Sequence, residues 1–125
     1  MKKVLIITNN PKVAILPGAE FHQETLLEIL VRVRNMVHSG FRLISHPLAG
    51  SVKPNETPYK SVIMETTPNQ AVDETSLRVI EGSIATATKL LQDKPLKIRA
   101  QQIMDDYAVI DLSLIESGLQ SLSHL

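Results

Sequence analysis

The chain runs to 125 residues, 43% hydrophobic and 21% charged, with 13 lysines and arginines set against 13 aspartates and glutamates. That is a length for one domain, and a composition apolar enough to fold. The charge balance gives no basic footprint for nucleic acid or anionic membrane, and the absence of cysteine excludes disulfides, thiolate nucleophiles, cysteine metal sites and iron–sulfur clusters.

Met1-Lys2-Lys3 followed by Val4-Leu5-Ile6-Ile7 imitates a secretory leader, but Thr8-Asn9-Asn10-Pro11 ends the apolar run too early for one. No stretch approaches the roughly 20 apolar residues of a membrane span, and the expected location is cytoplasmic. Val4–Ile7 reads instead as a strand covered on both faces. Residues 12–22 are irregular, with a turn at Pro17-Gly18. A short strand around Ala19–Phe21 fits the pattern there without being required by it.

Glu24–Ser39 carries Leu26, Leu30, Val33 and Val37 on one stripe and ends at Gly40, which predicts a helix. Phe41–Ser45 then reads as a second strand and Ser61–Glu65 as a third. Asp73 is the expected N-cap of a second helix, whose stripe is Leu77, Ile80, Ile84, Ala87 and Leu91. Gly82 inside it costs about 1 kcal/mol relative to alanine, a cost that a close-packed neighbouring backbone would explain. Between Ile98 and Leu122 a third stripe of Ile103, Tyr107, Ile110 and Leu114, continued by Ile115, Leu119 and Leu122, predicts a helix. The alternative is a strand over Tyr107–Leu112 with a short helix after it. That C-terminal segment can cover the core or pair with a second copy in a homodimer. The expected fold is a small single α/β domain over residues 1–125, with a short central sheet of three or four strands flanked by three helices.

The segment between the second and third predicted strands stands out. His46–Lys60 holds three of the seven prolines and no apolar period, and loops beyond about 12–15 residues are uncommon in compact domains unless functional or disordered. Pro47, Pro54 and Pro58 restrict it, and Leu48, Val52 and Tyr59 can anchor it. If the Val4–Ile7 and Phe41–Ser45 strands run parallel through a helical crossover, this loop and Asn9-Asn10 open on the same sheet edge, where open α/β sheets place ligands. The candidate ligand-binding residues are therefore Asn9, Asn10, His46, Gly50, Ser51, Lys53, Asn55, Glu56, Tyr59 and Lys60.

Their chemistry suits a small anion. Gly50-Ser51 can present backbone N–H groups, Ser51 adds a hydroxyl and Lys53 a point charge, enough for phosphate, sulfate or carboxylate. The G-x-x-x-x-G-K-[ST] pattern of a P-loop is missing. The competing reading is a proline-braced loop whose polar groups satisfy its own backbone. His22, His38, His46 and His124 have no metal-ligand spacing, so no metal and no cofactor is expected. Asp105-Asp106 reads as a solvated face, because adjacent helical residues diverge. Ser51 with His46 lacks an orienting acid and a G-x-S-x-G turn.

The opening strand followed by Thr8-Asn9-Asn10-Pro11, together with His46-Pro47-Leu48-Ala49-Gly50-Ser51-Val52-Lys53-Pro54-Asn55-Glu56-Thr57-Pro58-Tyr59-Lys60-Ser61, resembles the GrdX family. These are small proteins encoded beside glycine reductase genes in amino-acid-fermenting anaerobes. The resemblance brings no catalytic residues to carry over. It implies an accessory, non-catalytic role with glycine reductase components as partners. Glycine reductase chemistry uses selenocysteine, thiols and an acetyl-phosphate product, and a chain without cysteine cannot join the electron transfer as a thiol. Two other readings stand beside it. One is an enzyme for a small phosphorylated or carboxylated substrate, with His46, Lys53 or Tyr59 as acid–base groups. The other is a protein-interaction module presenting the Pro47–Pro58 loop.

Overall fold

Three short strands meet edge to edge, and helices pack on both faces of the sheet they form. The computed structural model describes residues 3–50 and 52–122. Its elements in chain order are β1 (Leu5–Thr8), β2 (Ala19–Phe21), α1 (Leu26–His38), β3 (Ser61–Met64), α2 (Glu74–Asp93) and α3 (Gln101–Leu122). The sheet order is β2-β1-β3, with β2 parallel and β3 antiparallel to β1. This is the expected α/β architecture of three helices around a short sheet.

Side-chain alternation along β1 and β3 divides the core in two. Ile7, Val62 and Met64 pack with Leu26, Ile29, Leu30, Val33 and Val37 of α1, and α2 closes over that layer with Ile80 and Ala87. On the other face Val4, Ile6 and Ile63 meet Val13 and Ile115, with Leu112 and Leu119 of α3 beside them. The predicted α1 and α2 stripes match these contacts. α1 starts with a capping box, Thr25 accepting from the Glu28 N–H while the Glu28 carboxylate accepts from the Thr25 N–H. Asp73 caps α2 as expected, accepting from the Ser76 N–H at 2.9 Å. Gly18 turns the chain into β2 with φ +84°, and a Cβ there would lie 2.2 Å from the Val4 carbonyl oxygen.

The short Ala19–Phe21 strand that the sequence allows is present and is a full member of the sheet, paired with Ile6–Thr8. Three expectations need correction. Phe41–Ser45 is not a strand but a single bridge, Leu43 to Met64. Its ladder fails because Ile44 and Ser45 both donate to the Ile63 carbonyl, the Ser45 hydroxyl takes the Ile63 N–H, and the Leu43 N–H goes to Ser76 Oγ. The segment still runs antiparallel to β3 and hence in the direction of β1, so its exit and that of β1 lie at the same sheet edge. Gly82 has nothing within 4 Å of the position a Cβ would take, so no neighbouring backbone explains it.

The third correction concerns the inward face of α3, which is helical throughout Tyr107–Leu112 as expected. Its buried residues are Ala108, Asp111 and Ile115, while Ile103, Ile110 and Leu114 stay about two-fifths exposed. The inward face is thus offset by one residue, about 100° around the helix, from the first half of the expected stripe, while its continuation through Ile115, Leu119 and Leu122 faces the core as expected. Ile115 and Leu119 lie near the start of β1 and Ala108 near its end, so α3 runs antiparallel to β1. Its 22 residues span about 33 Å, against about 13 Å for the four residues of β1. The first turns of α3 therefore overhang the edge where β1 ends.

Candidate functional site

At that edge the core turns polar. On the α3 side of the sheet Ile6 and Ile63 are succeeded by Thr8 and Ser61, a cross-strand pair. Asp111 of α3 sits over them, buried, its Oδ2 accepting from the Ser61 hydroxyl at 2.7 Å and from Asn10 Nδ2 at 3.0 Å. The other Asn10 amide hydrogen reaches the Ala108 carbonyl at 2.9 Å, and Asn10 Oδ1 accepts from the Lys12 N–H.

Asn9 braces the opposite side of the strand end. Its Nδ2 donates to the carbonyls of Glu24 at 2.9 Å and Pro58 at 2.8 Å, and its Oδ1 accepts from the Lys60 N–H at 2.8 Å. One side chain thereby ties the start of α1, the end of the long loop and the start of β3 together. Both amide hydrogens of Asn9, and both of Asn10, are engaged within the protein.

Lys60 is 8% exposed. Its ammonium makes no hydrogen bond or ion pair with any described residue. Burial pushes its pKa down from the ordinary lysine value, and the nearby Asp111 charge pulls it partly back. Lys60 and Asp111 share the wall of a cavity of about 20 Å³ with Thr57, Tyr59, Tyr107 and Leu114. That is room for about one water. Gly50 presses on the same helix from outside, where a Cβ would come 2.7 Å from Leu114 Cδ1.

Thr57 is also in the wall of an open cleft of about 540 Å³, a volume typical of small-molecule sites. Its sides are Pro54 and Pro58 of the loop, Leu26 and Leu27 of α1, and Leu91 and Leu96 beyond. Its charged residues are acidic and already occupied. Glu24 receives both Arg32 Nε at 2.8 Å and an Arg32 Nη at 3.0 Å, a fork that holds its carboxyl below the usual range, and Glu28 closes the capping box. The lysine charge therefore lines the small cavity, and the cleft is walled mainly by apolar side chains.

The structure brings Tyr59, Lys60, Asn9 and Asn10 to this edge, with Asn9 and Asn10 as braces. His46 is exposed and its Nδ1 accepts from the Leu48 N–H, closing a turn. Lys53 is exposed and its carbonyl receives the Glu56 N–H; neither His46 nor Lys53 is in the wall of the cavity or the cleft. Glu56 is half-buried, and Asn55 is buried with its Oδ1 unpartnered among the described residues. Ser51 lies outside the described residues. Among the described residues no three His, Asp or Glu side chains converge as a metal ion would need, and no helix is long and apolar enough to cross a membrane.

Asp111, Thr57, Ser61 and Tyr107 were not among the residues expected at the site. Asp111 carried a readable signal, a carboxylate spaced three and four residues from Ala108 and Ile115 on what proves to be the inward face. The model of the family described as GrdX-like protein matches residues 5–120. No curated protein and no solved structure matches the chain.

Proposed function

The chain belongs to the GrdX-like protein family, and on that premise we propose that it is an accessory protein of the glycine reductase system which binds a small anion at Lys60, beneath the His46–Lys60 loop. One observation carries the ligand reading: a lysine only 8% exposed, whose ammonium has no partner among the described residues, beside a cavity at the sheet edge where β1 ends. Partial desolvation of a cation is costly, and an oxyanion supplies both a counter-charge and an acceptor. The cavity accommodates one oxygen of a carboxylate or phosphate in the place of a water, with the rest of the ligand outside. Asp111 keeps Lys60 from being an isolated charge when the site is empty. The association with glycine reductase is supported by the family resemblance alone.

Thermal unfolding with phosphate, acetyl phosphate, glycine, acetate and common nucleotides tests the ligand reading on the wild type and Lys60→Met. A ligand at about 100 times its Kd adds about 2.7 kcal/mol of stability, a rise of several degrees in Tm for a chain this size. A shift in the wild type that is lost in Lys60→Met is the expected result. No shift with any compound overturns it. Co-purification with glycine reductase components tests the association separately.

A second reading rests on the cleft. Pro54 and Pro58 face Leu26, Leu27, Leu91 and Leu96 across an open, largely apolar groove, which suits an apolar segment of a partner protein. That reading expects a stable complex with such a component, abolished by replacing Pro54 and Pro58 with serine while the fold survives.

A further inference from the structure

α3 carries two stripes, and the core uses only one. Ala108, Asp111 and Ile115 turn inward, while Ile103, Tyr107, Ile110 and Leu114 line up along the outside, three of them about two-fifths exposed. The outward face of a surface helix is ordinarily polar, and a contiguous exposed apolar strip marks a contact surface. Tyr107, Ile110 and Leu114 also wall the Lys60 cavity, so the stripe borders the site already described.

The four residues are spaced by four, three and four, the a/d period of a coiled-coil seam. That spacing reads the same in both directions. A twofold axis across the helix at the level of Ala108 and Val109 therefore sets Ile103 against the partner's Leu114, and Tyr107 against the partner's Ile110. We propose that two copies of this chain pair through this face, α3 against α3 in antiparallel order. Charge selects the direction. α3 has no acidic residue in its first turn and no basic one in its last, while Lys94, Lys97 and Arg99 stand just ahead of it. Antiparallel pairing brings those bases toward the C-terminal carbonyls of the other copy, where cations are favoured, and sets Asp106 beside the partner's Ser113. Parallel pairing would stack the two basic segments on one another, and likewise the two Asp105-Asp106 pairs, at a Coulombic cost. A face about 33 Å long and about 10 Å wide offers each copy about 330 Å². That is below the roughly 800 Å² per partner of a stable complex, so the dimer belongs to the weak class. The pairing does not depend on the anion reading of Lys60.

The test is sedimentation velocity of the full chain over about 5–500 μM, the range in which weak interfaces associate. The wild type is expected to move from the monomer mass toward twice that value as concentration rises. Ile110→Asp, which puts a carboxylate from each copy into the seam, should weaken association at least about thirtyfold, the scale of a hot-spot residue. Ile103→Asp, on the turns that overhang the sheet, should do the same, with an unchanged circular dichroism spectrum. It carries the comparison alone if Ile110→Asp does not fold. A wild type that stays monomeric throughout, or a dimer that survives the substitutions, overturns the pairing. Because the chain has no cysteine, introduced ones report the direction. Ile103→Cys and Leu114→Cys, mixed and mildly oxidised, should give a disulfide-linked dimer that neither protein gives alone. Linkage in the mixture no greater than in either protein alone overturns the antiparallel order.

Discussion

The Ser61 hydroxyl donates to Asp111 Oδ2 across 2.7 Å, tying the first residue of β3 to the middle of α3. A hydroxyl has one hydrogen to give, so the 2.6 Å contact between Thr8 Oγ1 and Ser61 Oγ is donated by Thr8. Thr8 Oγ1 in turn accepts the Asn10 N–H at 2.9 Å. The result is a directed chain from the backbone after β1, through two hydroxyls, to a buried carboxylate. It fixes where α3 crosses the sheet edge, and so fixes the roof of the Lys60 cavity.

Removing the carboxylate should therefore be expensive. Asp111→Ala strips the acceptor from Ser61 and Asn10 and the counter-charge from Lys60, and should cost about 3 kcal/mol. Urea unfolding checks this as a lower midpoint with an unchanged slope. A loss below about 1 kcal/mol would mean the network is not a structural hub.

Lys60→Met should separate stability from binding. At neutral pH the variant should be at least as stable as the wild type, because a partly desolvated ammonium is replaced by an apolar side chain of similar length. The pH dependence follows from the direction of the shift. The folded protein binds the Lys60 proton less tightly than the unfolded chain, so its penalty is complete at pH values below the lowered pKa. Wild-type stability from this group then rises with pH up to about the ordinary value of 10.5. Chemical unfolding of the two proteins across the alkaline range should show that rise in the wild type and not in Lys60→Met. Parallel curves would contradict it.

Asn9→Ala removes three hydrogen bonds that join α1, the long loop and β3. At about 1 kcal/mol each, a loss of about 2–3 kcal/mol is expected. Hydrogen exchange should quicken at the Lys60 amide, which loses its acceptor, more than in the middle of α1. Uniform quickening would instead indicate global destabilisation only.

Gly82→Ala should stabilise the protein by about 1 kcal/mol, since α2 gains helix propensity and the new methyl meets nothing within 4 Å. Thermal unfolding should show a higher Tm with unchanged ligand response. A lower Tm would imply that this face of α2 is covered in solution.

The elements with strong periodicity were readable from the chain. α1 and α2 show their inward stripes because the middle of each packs on one apolar layer, and Val4–Ile7 announces a strand buried on both faces. α3 misled because its inner face crosses from an apolar region at Ile115 to a polar one at Asp111, while its overhang leaves Ile103 and Ile110 partly outside. Hydrophobicity alone therefore chose the neighbouring stripe in the first half of the helix, and the inward one from Ile115 onward. The long loop and the β1 exit were placed at one edge by topology, yet the charge expected to matter, Lys53, is exposed, and Lys60 is the buried one. No pattern marks that difference, because the burial of Lys60 comes from Asn9, Tyr107 and Asp111, distant in sequence and brought together only by the fold.

The most direct measurement is NMR of the lysine side chains during a phosphate titration, with Lys60 and Lys53 assigned. The account predicts a saturable shift of the Lys60 Cε and Hε signals, with Lys53 unmoved. A shift confined to Lys53 or other exposed lysines, or no saturable shift at Lys60 at millimolar phosphate, would contradict it.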